Sequence, residues 1–247
     1  MSLSEAEIER YSRHILLKEI GGAGQQKLKN THILVVGAGG LGCPALAYLS
    51  TSGVGHLGVV DNDTVSVSNL QRQFLYSQEN LHRPKTEIAE KACLALNPSC
   101  RFTCYNRALD KVLAKQIFSQ YDVILDCTDN FSTRSVISEE AAQACVPLVV
   151  GAAQQFKGSI TVFAPFLGNN PSYTDLFPQT PPAEEALNCA QLGIFSPVTG
   201  VIGSLQAVEA LKLVLKIGQP LIGRLLIYDA LAGSMQIFAY QKPPSPR

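Results

Sequence analysis

The chain has 247 residues, with twenty Lys and Arg balanced by twenty Asp and Glu and a sequence pI near 6.9. Zero net charge argues against nucleic acid or an anionic membrane as the main partner. No apolar run approaches the roughly 20 residues that span a bilayer, and the acidic N-terminus lacks a signal-peptide pattern. Seven cysteines, an odd number without a Cys-x-x-Cys pair, argue for a reducing cytosol and against a disulfide framework.

Ser4 and Glu7 have capping-box spacing and predict a helix to about residue 18, with Ile8, Tyr11 and Ile15 on its apolar face. Arg10 and Arg13 fall elsewhere on that helix, where spacing alone reads them as solvated. Gly21, Gly22 and Gly24 are expected to break it, and residues 25–29 to add a short helical segment.

Residues 33–36 are a short apolar run of the kind buried on both faces of a parallel sheet. A glycine-rich turn follows, then a helix over 43–52. Gly37, Gly39 and Gly42 fit Gly-x-Gly-x-x-Gly, where absent side chains let backbone N–H groups and a helix N-terminus approach a phosphate. By itself the pattern also fits a tight strand–helix turn with no ligand. A second apolar run, 56–60, ends at Asp61, which has the spacing of a ribose-binding acid about 20 residues on. Strand, helix and acid together favour a nucleotide site.

The polar connection after Asp61 is too long for a simple turn and lies where parallel sheets bind ligands. His82-Arg83-Pro84-Lys85 then opens a helical pattern over 86–96. Clustered cations at a helix N-terminus oppose the dipole by about 0.3–1 kcal/mol each. Either an anion between Arg72, Lys85 and the dipole removes that penalty, or the cations are exposed and screened. Strand 101–107, helix 111–119 and strand 122–125 follow, the last ending in Asp126-Cys127-Thr128-Asp129-Asn130. Asp129 and Asn130 read either as an N-cap or as ligands at the edge that carries the glycine turn. Helix 132–144 and strand 147–150 complete a βαβ series.

Beyond residue 151 the pattern changes. Residues 159–163 read as a strand of antiparallel type, 165–190 as a long loop containing Cys189, and 200–217 as an apolar helix. Segments 225–228 and 235–240 form a closing antiparallel pair around Ala232-Gly233. The fold is therefore α/β: a Rossmann-like doubly wound, mainly parallel sheet extended by C-terminal antiparallel strands, in one domain over 1–247.

Several motifs then agree in order and spacing: Arg10-Tyr-Ser-Arg13, Gly37-Ala-Gly-Gly-Leu-Gly42, Asp61-Asn-Asp63, Ser68-Asn-Leu-Gln-Arg-Gln73, Arg83-Pro-Lys85, Asp126-Cys-Thr-Asp-Asn130 and Gly200-Val-Ile-Gly-Ser-Leu-Gln-Ala207. From about residue 8 to residue 240 the chain resembles the ThiF/MoeB/HesA family, bacterial relatives of ubiquitin-activating enzymes. The resemblance implies ATP- and Mg²⁺-dependent adenylation of the C-terminal glycine of a ubiquitin-like sulfur carrier, ThiS-like or MoaD-like, in thiamine or molybdenum-cofactor synthesis. It implies a cytoplasmic homodimer built from N-terminal helices (1–30), a nucleotide-binding core (31–150) and a carrier-binding and dimerisation part (151–247).

By the same resemblance Gly37, Gly39, Gly40 and Gly42 lie against the nucleotide, and Asp61 holds the ribose with Asp63 nearby. The run Ser68, Asn69, Leu70, Gln71 and Arg72 belongs to the same site, with Asn69, Arg72 and Lys85 on the phosphates. Asp129 binds Mg²⁺ beside Asn130, and Arg13 reaches the partner subunit's phosphates. Cys189 stands where some members link covalently to the carrier. Many members also hold a structural zinc with two Cys-x-x-Cys pairs; here Ser172 and Asp175 stand at the loop positions and the C-terminal segment has no cysteine, so no zinc is expected.

The chemistry suits these residues. A carboxylate nucleophile is already anionic and needs no strong base; catalysis rests on neutralising and aligning two negative reactants. Three other readings remain: adenylation of another carboxylate, such as one on a modified tRNA nucleoside; a nicotinamide-dependent dehydrogenase, which leaves Arg72, Lys85 and Asp129 without a role; and a non-catalytic scaffold.

Overall fold

The computed structural model describes residues 3–178 and 193–243. Helices α1 (Glu5–Arg10), α2 (Ser12–Ile15) and α3 (Gly21–Lys29) precede β1 (His32–Val36), α4 (Gly42–Thr51) and β2 (His56–Val60). Then come α5 (Lys85–Leu96), β3 (Arg101–Tyr105), α6 (Lys111–Ile117), β4 (Val123–Asp126), α7 (Phe131–Gln143) and β5 (Leu148–Gln154). The chain continues through β6 (Lys157–Phe163), α8 (Tyr173–Leu176), α9 (Ser196–Leu215), β7 (Arg224–Asp229) and β8 (Ser234–Ala239).

Eight strands form one sheet in the order β3-β2-β1-β4-β5-β6-β7-β8. The first five run parallel, and β6, β7 and β8 each pair antiparallel with their neighbours. Alternation along the buried strands feeds two cores. Ile33 and Val35 face a cluster with Leu46, Leu49, Ile88 and Ile202 from α4, α5 and α9. Leu34 and Val36 face a second cluster with Leu113, Ile117 and Ile137 from α6 and α7. Both faces are therefore covered, as a parallel sheet requires. The chain leaves β1 toward β2 and β3, then returns to β4 on β1's other side. This reversal opens a crevice at the carboxyl ends of β1 and β4, where such sheets bind ligands.

Three expectations need correction. The N-terminal helix does not run unbroken to residue 18: Tyr11, at φ −97° and ψ 13°, separates α1 from α2. Its ring is buried beneath Gly53 and its hydroxyl accepts from Asn97 Nδ2 at 2.9 Å, so tertiary anchoring overrides helix continuation. Ile8 does not share that buried face but is 49% exposed. Gly21, Gly22 and Gly24 do not break a helix; they form the first turns of α3, where Gly24 lies close to Ile20 and Leu215. Finally, α9 is by length and composition alone apolar enough to cross a membrane, although no run of the sequence is continuously apolar over that length. Its buried residues, among them Val198, Ile202 and Ala210, belong to the core cluster against the sheet.

At the amino ends of β1 and β2, His32 and His56 are register partners, with ring centroids 4.9 Å apart in an edge-on contact. His56 also bonds Thr103 Oγ1 at 2.8 Å. Burial first, then the positive charges of His32 and Arg101, hold His56 below its ordinary pKa. The unfolded chain therefore takes up a proton at His56 before the folded one does. Its contribution to stability is present at neutral pH and is lost as pH falls below about 6.5. Urea midpoints at pH 7 and pH 5.5 should differ less in His56→Gln than in the unsubstituted protein; an unchanged difference contradicts this assignment.

Candidate active site

The crevice is built from strand ends whose side chains leave backbone exposed. Gly37, at φ 95°, donates its N–H to Val60 O at 2.8 Å, locking the end of β1 to β2. A Cβ there would stand 2.8 Å from Cys127 O, so the β1 and β4 turns approach only because residue 37 has no side chain. A Cβ on Gly42 would overlap the Gly37 carbonyl oxygen, so α4 can begin directly over the strand end only with glycine. Gly40 lies against Thr199 of α9. Gly39 differs: the nearest atom to its Cβ position is Gln73 Nε2 at 3.7 Å. The first and last glycines of the pattern thus serve packing, while the middle one keeps the cradle open. No side chain caps the N-terminus of α4; the Cys43 N–H donates to Gly39 O at 3.0 Å within the turn and Pro44 has no N–H.

Asp61 follows β2 and fixes this cradle. Its Oδ2 accepts the Ala38 N–H at 2.7 Å and its Oδ1 accepts the Asp63 N–H at 2.8 Å. Burial pushes its carboxyl above the usual range, and those two N–H bonds oppose the shift. Tyr76, buried, donates to Ala38 O at 2.6 Å from the opposite side. Sequence reasoning missed Tyr76, whose only signal is an aromatic residue in a polar connection. It also missed Gln73, which is buried beside Gly39 with its Oε1 unbonded. A buried unpaired carbonyl oxygen at the cradle suits a donor from an incoming ligand.

The polar connection makes a 3₁₀ turn over Val67–Asn69. Asn69 Oδ1 accepts the Ser66 N–H, and Arg72 Nη1 donates to Ser68 O at 3.1 Å. Ser68 and Gln71 are exposed while Leu70 and Arg72 are half-buried. Lys85 is the first residue of α5 and only 4% exposed. Its Nζ donates to Asp63 Oδ2 at 2.8 Å, and its backbone N–H to Asp63 O at 3.0 Å. Of the two readings of this cation, exposure is excluded for Lys85, whose partner is the carboxylate of Asp63; Arg72 bonds Ser68 O instead.

After β4, Asn130 caps α7, its Oδ1 accepting the Thr133 N–H at 2.8 Å. Asp129 is exposed and has no hydrogen-bond or ion-pair partner among the described residues. Capping and a free carboxylate therefore fall to neighbouring residues. No three His, Cys, Asp or Glu among the described residues cluster to hold a metal unaided. A hard cation at Asp129 would need phosphate and water oxygens to complete its shell, as Mg²⁺ characteristically does.

Arg13 is not brought to this crevice. It is exposed and unpartnered among the described residues, on an arm anchored by Tyr11 at the far end of α4. That ten-residue helix puts about 15 Å between anchor and glycine turn. Cys189 lies outside the described residues. Cys43 and Cys127, inside the crevice wall, are buried, and burial raises both thiols, Cys43 to about 12, so neither is a nucleophile.

The zinc positions are otherwise engaged. Ser172 donates its N–H and its hydroxyl to Asp175 Oδ2, each at 2.7 Å, capping α8. Tyr173 packs edge-on to Phe163 and tilted on Phe177. A hydroxyl and a carboxylate bonded to each other do not fit a tetrathiolate site.

The ThiF family model matches residues 11–247. The chain belongs to the ThiF family. Among relatives, the sulfur carrier protein adenylyltransferase of Thermus thermophilus is 44% identical, covering 99% of this chain and 91% of its own length. The adenylyltransferase and sulfurtransferase MOCS3 of Drosophila virilis is also 44% identical, over 92% of this chain and 50% of its own. The chain thus spans about half the length of the MOCS3 relatives it matches. A crystal structure of Escherichia coli MccB with ATP superposes with TM-score 0.84 at 23% identity, covering 98% of this chain and 74% of that one. That likeness establishes the shared ThiF fold.

The glycines separate by experiment. Gly42→Ala should destabilise the ThiF fold by about 3 kcal/mol, since backbone must move, whereas Gly39→Ala should leave the melting temperature within about 2 °C and weaken nucleotide binding. Equal melting temperatures for the two variants contradict this division.

Proposed function

We propose that the chain adenylates the C-terminal glycine carboxylate of a ubiquitin-like sulfur carrier with Mg·ATP, releasing pyrophosphate. The buried Lys85 carries this reading. A cation at a helix N-terminus, 4% exposed and paired with a 62% exposed carboxylate, is a phosphate seat with a removable occupant. The family and the name of the Thermus relative supply the substrate class.

In this reading the triphosphate displaces Asp63 from Lys85, with Asn69 and Arg72 on the same phosphates and Gly39 and Gly40 beneath. The ribose bonds Asp61. Mg²⁺ held at Asp129 would neutralise phosphate charge as the carrier carboxylate approaches. That carboxylate oxygen attacks the α-phosphorus, the bond to the bridging oxygen breaks, and pyrophosphate leaves, giving an acyl adenylate. Lys85 and Arg72 lower the repulsion between the two anions, which is the main barrier.

Arg13, remote from its own crevice, serves the partner subunit of a homodimer. The chain works as one cytoplasmic domain, in thiamine or molybdenum-cofactor sulfur chemistry. The Ser172–Asp175 cap and its aromatic neighbours hold residues 172–177 without zinc, and Cys189 is the candidate for a later covalent step. Adenylation of another carboxylate, or a non-catalytic scaffold, is separated by the exchange assay.

Labelled pyrophosphate should exchange into ATP only when a matching carrier is present. Asp129→Ala should reduce that exchange by about 10²-fold or more with an unchanged melting temperature; ordinary turnover in this variant removes the metal assignment. Mixing Arg13→Ala with Asp129→Ala should recover activity, because one site of each heterodimer has both groups intact. No recovery at verified subunit mixing contradicts the role in trans.

A further inference from the structure

Behind the exposed Asp129 lies a buried polar plug. Arg134, on the second turn of α7, is 8% exposed, and its Nε donates to Asp126 Oδ2 at 3.0 Å. Its Nη2 donates to two backbone oxygens, Thr128 O at 2.8 Å and Gly151 O at 3.1 Å. Asp126 is fully buried, and its other oxygen accepts the Thr128 N–H at 2.9 Å and hydroxyl at 2.7 Å. From α9, the buried Gln206 donates to Asp126 O at 2.7 Å and Val149 O at 3.3 Å. It lies so close that a Cβ on Gly151 would stand 2.5 Å from its amide carbon.

We propose that Arg134 is a positioning residue for the reaction: its guanidinium clamps the 126–128 turn to β5 and so fixes where Asp129 presents its carboxylate. This rests on the reading of Asp129 as the Mg²⁺ residue. The argument is geometric. Asp129 is one residue beyond Thr128 and has no bond of its own to hold it. Its place is set by the turn before it and by the Asn130 cap after it. The turn has no regular ladder beyond Cys127, whose N–H donates to Val36 O at 2.8 Å. Thr128 bonds back to Asp126 within the turn, and Arg134 ties the Thr128 carbonyl outward to Gly151 of the neighbouring strand β5.

The planar fork reaches a carboxylate from Nε and two carbonyls from Nη2 at once. A lysine offers a single point charge and can neutralise Asp126 without spanning Thr128 O and Gly151 O. Charge compensation and loop positioning are therefore separable. The glycine turn and Asp61, which follow β1 and β2, share no hydrogen bond with Arg134, so ATP binding in the absence of metal is the control for disturbance of the cradle.

The test compares Arg134→Lys, Arg134→Gln and Asp129→Ala in carrier-dependent pyrophosphate exchange, with ATP binding in EDTA as control. Arg134→Lys should lower the melting temperature, because the Thr128 and Gly151 carbonyls lose their donor, yet stay folded and keep its ATP affinity in EDTA. With the variant shown to be folded at the assay temperature, it should raise the Mg²⁺ concentration for half-maximal exchange and lower kcat, each by about 10-fold or more, as for other residues that orient a metal ligand. If Arg134→Gln unfolds because Asp126 is left uncompensated, Asp126→Asn with Arg134→Gln removes the charge imbalance and should show the same Mg²⁺ defect. Full recovery of Mg²⁺ dependence and kcat in Arg134→Lys overturns the proposal, since it reduces Arg134 to a stabilising charge. Normal exchange in Asp129→Ala overturns the underlying reading and this inference with it. Loss in Asp129→Ala with normal exchange in the folded Arg134 variants overturns this inference alone.

Discussion

A buried ammonium group at the start of a helix is unfavourable twice over, through desolvation and through the helix dipole. Lys85 is in that position, and the 2.8 Å contact with Asp63 offsets the cost. Because Asp63 is largely exposed while Lys85 is not, the pair is asymmetric: the cation is fixed and the anion is replaceable. The surrounding structure maintains this asymmetry. Asp61 orients the Asp63 backbone, the Lys85 N–H holds the Asp63 carbonyl, and α5 packs Ile88 and Ala89 into the core behind it.

The strand order explains why the remaining groups meet Lys85 in one place. The return of the chain from β3 to β4 sets the turns after β1 and β4 side by side, with missing side chains at Gly37 and Gly42 allowing contact. The crevice walls are polar backbone, satisfied from behind by Tyr76, Gln206 and Arg134. Gln206 and Arg134 each bond two segments far apart in sequence, and Tyr76 bonds one. Together they make the floor rigid while Asp129, Asp63 and Arg72 keep side chains near solvent.

Much of this was legible in the residues. The short apolar runs, the glycine turn and Asp61 located β1, α4 and β2 because these signals are local in the chain. The antiparallel extension was legible too, from the change of pattern after residue 151. The N-terminus was misread because Tyr11 is held by Asn97 and Gly53, contacts that no local spacing reveals. Gly21–Gly24 were read as breakers by propensity, yet packing of α3 on α9 outweighs about 1 kcal/mol per glycine. Arg134 and Gln206 were missed for a related reason. On a helix a single arginine or glutamine looks solvated, and only the fold brings carbonyls to it.

The account turns on Lys85 exchanging one anion for another. A crystal structure with Mg²⁺ and a non-hydrolysable ATP analogue tests this most directly. The account predicts phosphate oxygens within hydrogen-bond distance of Lys85 Nζ and Asp63 turned away from it. A triphosphate bound elsewhere, with the Lys85–Asp63 pair intact, would contradict it.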